Sequence, residues 1–441
     1  MDMRVSERCV PVRGQCVAVV GGGISGLAAA WLLRNDYRVT LFEADVRAGG
    51  HTNTVPVEID GREALVDTGF LVFNRQTYPE LCSLFERIGI ASVASEMSFS
   101  VSLREPRLEW AGTSLATVFG QPRNLVRPGF WRMLNDILRF NRETLAIGDD
   151  SPWSAVALGD YLEAQGYSRA FRDWYLLPMA AAIWSCPTRQ MADYPLGTFV
   201  RFCRNHGLLQ IVDRPQWLTV RGGGQTYVSR LLQDLADVRL AQPVMAVARS
   251  AQGVRLKTAC GEEDFDAVIM ACHSDQALRI LGASASEAER ATLGAVRYQP
   301  NVAWLHTDTT LLPERRRLWA AWNYMAGAGA PGDQPVSVTY LLNRLQPLPF
   351  DTPLMVTLNP PTPPAEACVL QRIEYAHPVF DQGAIDAQAR LNAVQGEQRT
   401  WFAGAWCGYG FHEDGLRSAL AVATHFGVTA PWRADAMAVP A

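Results

Sequence analysis

Gly21-Gly22-Gly23-Ile24-Ser25-Gly26 follows the apolar run Cys16-Val17-Ala18-Val19-Val20, and a second apolar run, Arg38 to Phe42, ends in Glu43. Strand, glycine turn, helix, strand and acid, in that order, constrain this chain more than any other feature. Gly21 permits a tight turn, Gly23 lets the backbone approach a pyrophosphate, and Gly26 lets helix and strand pack closely. Ile24 and Ser25 open the helix, where free N–H groups and the helix dipole favour phosphate. The helical stretch reads as Leu27 to Leu33. Glu43, about 20 residues on, is placed to accept hydrogen bonds from ribose hydroxyls. The pattern predicts a Rossmann-type βαβ unit for a dinucleotide, and at this point NAD and FAD are both open.

At 441 residues the chain exceeds one ordinary core, so two or more domains are expected. Hydrophobic content of 48% and charged content of 19% describe a folded protein, and a net charge of −4 gives no electrostatic case for nucleic acid. The nine cysteines are scattered without a Cys-x-x-Cys pair, which argues against a zinc site or disulfide framework and suits a reducing cytosol. No apolar run reaches the roughly 18 residues of a membrane span. Met1 to Gln15 is short and polar, unlike a signal peptide. The expected location is cytoplasmic. Lys257 is the sole lysine.

Helical periodicity runs from Tyr78 to Ile88 and from Phe130 to Leu145. A Trp- and Tyr-rich stretch, Trp153 to Trp184, follows. Arg221-Gly222-Gly223-Gly224-Gln225 opens a helix over Thr226 to Leu235. Alternating segments Val238 to Val247 and Val254 to Thr258 read as a β-meander, and Asp266 to Ala271 as a buried parallel strand. Val302 to His306, Val336 to Leu342 and Leu354 to Leu358 read as strands. Trp401 to Gly404 reads as a last strand and Gly415 to Phe426 as a closing helix, with a mobile tail from Pro431. The fold class is α/β: one nucleotide domain assembled from 14–75, 218–278 and 395–430, and an α+β substrate domain from 76–217 and 279–394 with a mixed sheet and helices.

After Glu43 the chain continues Ala44-Asp45-Val46-Arg47-Ala48-Gly49-Gly50-His51-Thr52. This resembles the extended dinucleotide motif of the flavin amine oxidase / phytoene desaturase superfamily, with a glutathione-reductase-like cofactor domain. The resemblance implies FAD as cofactor. Arg47 would pair with a phosphate, Gly49-Gly50 would let the backbone pass close to the ribitol, and Ala44, His51 and Thr52 would lie along the same path. Val66-Asp67-Thr68-Gly69 with Phe70 looks like the family's segment beside the flavin ring. Val244 resembles the valine whose backbone holds adenine. Gly404, Ala405, Gly415 and Leu416 fall in what resembles the C-terminal FAD motif, where a helix near Gly415 would aim its positive end at the flavin N1–C2=O edge.

Three departures bear on substrate. Ala405 stands where relatives often carry an acid. The stretch Arg297 to Trp304 lacks the lysine that many amine oxidases place near flavin N5. His412 aligns with a tyrosine of the amine cage. Hydride removal from carbon chiefly needs a substrate positioned over N5, so the departures favour a desaturase-type enzyme. The runs Val66 to Asn74 and Phe402 to Gly415 resemble a bacterial group linked with cyclopropane-type and furan fatty acid synthesis.

His412 and Tyr409 are the candidate catalytic residues: His412 as a ring near N5 or a general base, against a surface or capping role, and Tyr409 against core packing. Cys407 reads as a small buried hydrophobe. Arg127 to Leu145 is either an interfacial helix admitting lipid from a membrane or a packed helix with a basic edge. The expectation is an FAD oxidoreductase moving hydride from an apolar or lipid substrate to flavin N5, desaturating an acyl chain, with peripheral contact at the inner membrane face. The alternative is an amine oxidase releasing H2O2. From another class, a flavin-free lipid carrier resembling Rab GDP-dissociation inhibitors is opposed by the intact glycine motif, Glu43 and Gly49-Gly50. The sequence leaves the oligomeric state open.

Overall fold

In the computed structural model, which describes residues 11–148, 151–184, 188–205, 207–210, 214–326 and 337–438, Cys16–Val20 is the centre of a five-stranded parallel sheet. The strand order is Asp237–Arg239, Arg38–Phe42, Cys16–Val20, Ala267–Met270, Thr400–Phe402, so the sheet draws on three separate stretches of the chain. Its side chains divide with period two. Val17, Val19, Ala267 and Ile269 pack under the helices Ile24–Leu33, Gln225–Gln233 and His412–His425. Ala18, Val20, Val268 and Met270 face the other way, in one cluster with Val247, Leu256 and Phe265 of a three-stranded antiparallel layer. Burial on both faces explains the unbroken apolar runs of these strands. The C-terminal ends of Cys16–Val20 and Arg38–Phe42 meet the glycine turn and Glu43, where open parallel sheets bind ligands.

The second sheet is mixed and seven-stranded, in the order Val369–Val379, Arg297–His306, Met355–Leu358, Ser337–Leu341, Trp322–Ala326, Phe99–Leu103, Leu108–Ala111. Helices Pro128–Thr144, Leu158–Ala164, Leu177–Trp184 and Leu196–Asn205 accompany it. Gln299 pairs with His377 and Asn301 with Tyr375 between the edge strand Val369–Val379 and its neighbour Arg297–His306, a register that matters below.

Three sequence expectations need correction. Val238 to Val247 is not one arm of a meander. Ala241 takes a left-handed turn (φ 52°) before Pro243, so Asp237–Arg239 joins the parallel sheet and Ala246–Arg249 the antiparallel layer. The closing helix begins at His412 rather than Gly415, because Asp414 accepts the Phe411 N–H at 3.0 Å and caps the earlier start. The tail is helical over Pro431–Ala438, and its first turn is docked. Trp432 stacks on Trp31 and donates to Glu80 at 2.7 Å, and Arg433 pairs with the same carboxylate. Residues 439–441 of that tail lie outside the described residues, as do Val336 and Met1 to Val10. Helix Pro128–Thr144, in a stretch expected to be helical, buries Phe130, Met133 and Phe140 and leaves Trp131 and Leu138 at 50% and 57% exposure.

His306 of the mixed sheet is fully buried, with Nε2 bonded to the Thr357 hydroxyl at 2.7 Å and Nδ1 accepting the Asp308 N–H at 3.1 Å. Burial pushes its pKa down to about 4. The folded state therefore holds it neutral while the unfolded chain binds a proton below about pH 6.5. Its contribution is complete above that pH and is lost as pH falls towards 4. Against a His306→Gln variant, the wild type is expected to lose about 2.4 kcal/mol of relative stability between pH 7 and pH 4.5. Urea midpoints at the two pH values measure this; a difference independent of pH would contradict it.

Candidate active site

One cavity of about 790 Å³ runs from the glycine turn and Glu43 into the aromatic interior of the second domain. At its nucleotide end the glycines divide by role. A Cβ on Gly21 (φ 110°) would lie 2.8 Å from the Ala271 carbonyl oxygen, and a Cβ on Gly26 only 1.8 Å from the Gly21 oxygen. These two are demanded by the protein's own packing. A Cβ on Gly23 would meet no protein atom within 4 Å. That face opens on the cavity, beside a helix N-terminus with no side-chain cap. An uncapped N-terminus next to an open glycine suits a pyrophosphate.

Glu43 accepts the Gly22 N–H at 2.7 Å and the Asp45 N–H at 2.9 Å, so its carboxylate braces the turn. Each oxygen keeps a second lone pair for a ribose hydroxyl. Val244 faces the same end of the cavity with Gln242 and Pro243. A second helix N-terminus converges here: a Cβ on Gly415 would lie 2.8 Å from Ile24 and 2.9 Å from the Ser25 hydroxyl. These features fit FAD.

Of the residues singled out in the sequence, Gly21, Gly23, Ile24, Ser25, Glu43, Ala44, Gly49, Gly50, His51, Gly69, Phe70, Val244, Gly404, Ala405, Tyr409 and His412 line this cavity. Five do not. Gly26 and Gly415 are packing positions and Leu416 is core. Arg47 is not among the lining residues: it donates to the Gly50 and Thr52 carbonyls at 3.0 and 3.1 Å, clamping the Gly49-Gly50 loop. Buried Thr52 turns its hydroxyl to Tyr227 (2.6 Å) and to His412 Nε2 (2.8 Å).

His412 is therefore held rather than free. Its ring stacks on Phe70 with centroids 3.7 Å apart and an 18° interplanar angle, and Tyr227 adds a 3.2 Å contact to Nε2. Burial lowers its pKa to about 3, so it is neutral and a weak base. Burial likewise raises the Cys407 thiol far above neutral pH, leaving it un-ionised. Asp67, pushed up to about 6 by burial, accepts from Thr54 and from the Gly224 N–H, tying the flavin-side segment to the second glycine turn.

Four residues that the sequence did not single out, His273, Tyr298, Tyr375 and His377, complete the wall around His51. His51 stacks on Tyr375 (5.0 Å, 22°) and lies 5.1 Å from His377 between ring centroids; His273 stacks on Tyr298 (4.3 Å, 13°). Burial lowers His51, His273 and His377, the last to about 4. His273, Tyr298, Tyr375 and His377 come from three separate segments, and no local spacing announces them.

Fold and site together define an FAD-dependent oxidoreductase. The flavin containing amine oxidoreductase family matches residues 24–340, and the chain belongs to that family. A carotenoid phi-ring synthase of Streptomyces griseus is 29% identical over 370 residues, 74% of this chain and 65% of the synthase. The chain thus spans less than two thirds of that relative. Putrescine oxidase bound to putrescine superposes with a TM-score of 0.66 at 18% identity, covering 97% of this chain and 100% of the other. A CLA-producing fatty acid isomerase from P. acnes does so with a TM-score of 0.65 at 14% identity, covering 94% and 99%. These two likenesses concern the fold.

Proposed function

We propose that the protein oxidises a carbon–hydrogen bond of an uncharged apolar substrate, a lipid acyl chain, introducing a double bond. The observation that carries this reading is the wall of the cavity. Beyond the nucleotide end it is built of Met97, Trp184, Trp217, Trp322, Tyr340 and Leu358. Among its described residues the only formal charges are Glu43 and Arg279. Glu43 braces the glycine turn, and Arg279 sits 3.2 Å from Asp275. An ammonium substrate would enter without a counter-charge, which is costly away from water. Bound FAD supplies the hydride acceptor, flavin N5. The chain's residues position the acyl chain, exclude water and hold the rings at the flavin end, with His412 neutral and fixed by Thr52 and Tyr227. Tyr409 stands at the same end, and the departing proton would pass to solvent, since His412 is too weak a base to hold it.

Substrate entry from a membrane surface belongs to the same proposal. Leu115, Leu125, Val126, Trp131 and Leu138 are all exposed, with Val126 at 83%, and exposed Arg123, Arg132 and Arg142 flank them. Apolar side chains bordered by arginines suit an anionic bilayer.

Anaerobic holoenzyme mixed with vesicles of an anionic dioleoyl phospholipid is expected to float with them and to lose its visible flavin absorption. Putrescine and benzylamine are expected to leave the band unchanged. Bleaching by either amine but by no lipid would make the enzyme an amine oxidase.

A further inference from the structure

Two side-chain amides and one imidazole beside the cavity form a chain whose hydrogen bonds run in one direction. Asn359 Oδ1 accepts the Val302 N–H at 2.8 Å, so its Nδ2 is the atom that faces Asn301 Oδ1, at 2.5 Å. Asn301 Nδ2 then points at both the Gln299 carbonyl (3.1 Å) and His377 Nδ1 (2.7 Å). The carbonyl accepts only, so the amide orientation is fixed twice over. His377 Nδ1 must accept, and in a neutral ring the proton is on Nε2. Asn359 holds φ 45°, a conformation asparagine tolerates better than most residues. Asn301 is 1% exposed, so water does not compete for its amide.

We infer that His377 presents a fixed Nε2–H donor to the cavity and seats a neutral oxygen acceptor of the substrate, an ester or thioester carbonyl, with Asn301 and Asn359 as positioning residues. The inference rests on the lipid reading above and names the part of the lipid it recognises. His377 lines the cavity, and no described residue accepts from its Nε2. Next to it, His51 Nε2 is buried and also without a protein partner. Burial holds both rings neutral. A neutral donor matches a carbonyl: Arg279 is paired with Asp275 and Arg47 is turned to the Gly50 and Thr52 carbonyls, so a free carboxylate would lose its hydration for little counter-charge.

The test uses the holoenzyme and three probes of one chain length: methyl oleate, sodium oleate and 9-octadecene, titrated against the visible flavin band. Methyl oleate is expected to bind about tenfold more tightly than 9-octadecene, the size of one such hydrogen bond. Sodium oleate should bind no better than the ester. His377→Phe should bring the ester-to-alkene ratio to about one with flavin content unchanged, while His377→Gln, which keeps an N–H donor, should restore part of it. Nitrogen-15 spectra should report an Nε2-protonated His377 that loses its single tautomer in Asn301→Leu. A ratio near one in the wild type, or an undiminished ratio in His377→Phe, overturns the inference. So does loss of FAD or an altered unliganded spectrum in His377→Phe, which would put the acceptor on the cofactor. If none of the three probes perturbs the band, the lipid reading itself falls, and this inference with it.

Discussion

Gly26→Ala should yield protein with little bound FAD, at least about a hundredfold weaker in affinity than the wild type. The reason is internal. The new methyl carbon would sit 1.8 Å from the Gly21 oxygen and 3.2 Å from the Ala271 side chain, inside any van der Waals contact. Helix Ile24–Leu33 must move away from the sheet, and the turn that presents its first N–H groups moves with it. Overpacking of this kind costs about 1–3 kcal/mol even where neighbours can yield, and here the neighbour is backbone. Thermal stability of the apoprotein should fall in parallel. Gly23→Ala separates packing from approach. No protein atom lies within 4 Å of its added carbon, so the apoprotein should melt with the wild type. FAD should nevertheless be lost, because that open face is where the pyrophosphate passes. Flavin-to-protein absorbance after gel filtration, with melting curves of the apoproteins, measures both. Stoichiometric FAD in Gly26→Ala, or in Gly23→Ala, would break the assignment of these two glycines.

That division of labour shows what a sequence can disclose. Gly21, Gly23, Gly26 and Glu43 were legible because their chemistry is local: a turn, a close approach and an acid at the end of the neighbouring strand. Strands buried on both faces were legible for the same reason, since Val17 to Val20 and Ala267 to Met270 carry no polar side chain to place. The errors fall where a partner distant in sequence decides. The tail reads as mobile until Glu80 supplies a partner for Trp432 and Arg433. His273, Tyr298, Tyr375 and His377 have no signature because the site takes one or two residues from each of several strands. The register pairing Gln299 with His377 and Asn301 with Tyr375 brings the strand residues together, and His273 joins them from the N-terminus of helix Ser274–Leu281.

A second large effect is expected far from the cavity, at Arg249. This residue ends strand Ala246–Arg249, and Glu289 lies in the first turn of helix Glu287–Leu293. Both side chains are 0% exposed, and the guanidinium meets the carboxylate at 2.5 and 2.8 Å in a two-pronged pair. The Ser284 carbonyl also accepts from Arg249, and Glu289 accepts the Ser286 N–H at 2.7 Å, so the ion pair fastens the antiparallel layer to the helix. Arg249→Met removes the cation but leaves a carboxylate sealed from water. The expected cost is about 3–5 kcal/mol, read as a lower urea midpoint at unchanged slope. Adding Glu289→Gln discriminates the cause. Glutamine keeps an oxygen for the Ser286 N–H and carries no charge. If the stranded charge is the main cost, the double variant should be more stable than Arg249→Met alone; if the lost hydrogen bonds are, it should be no better or worse.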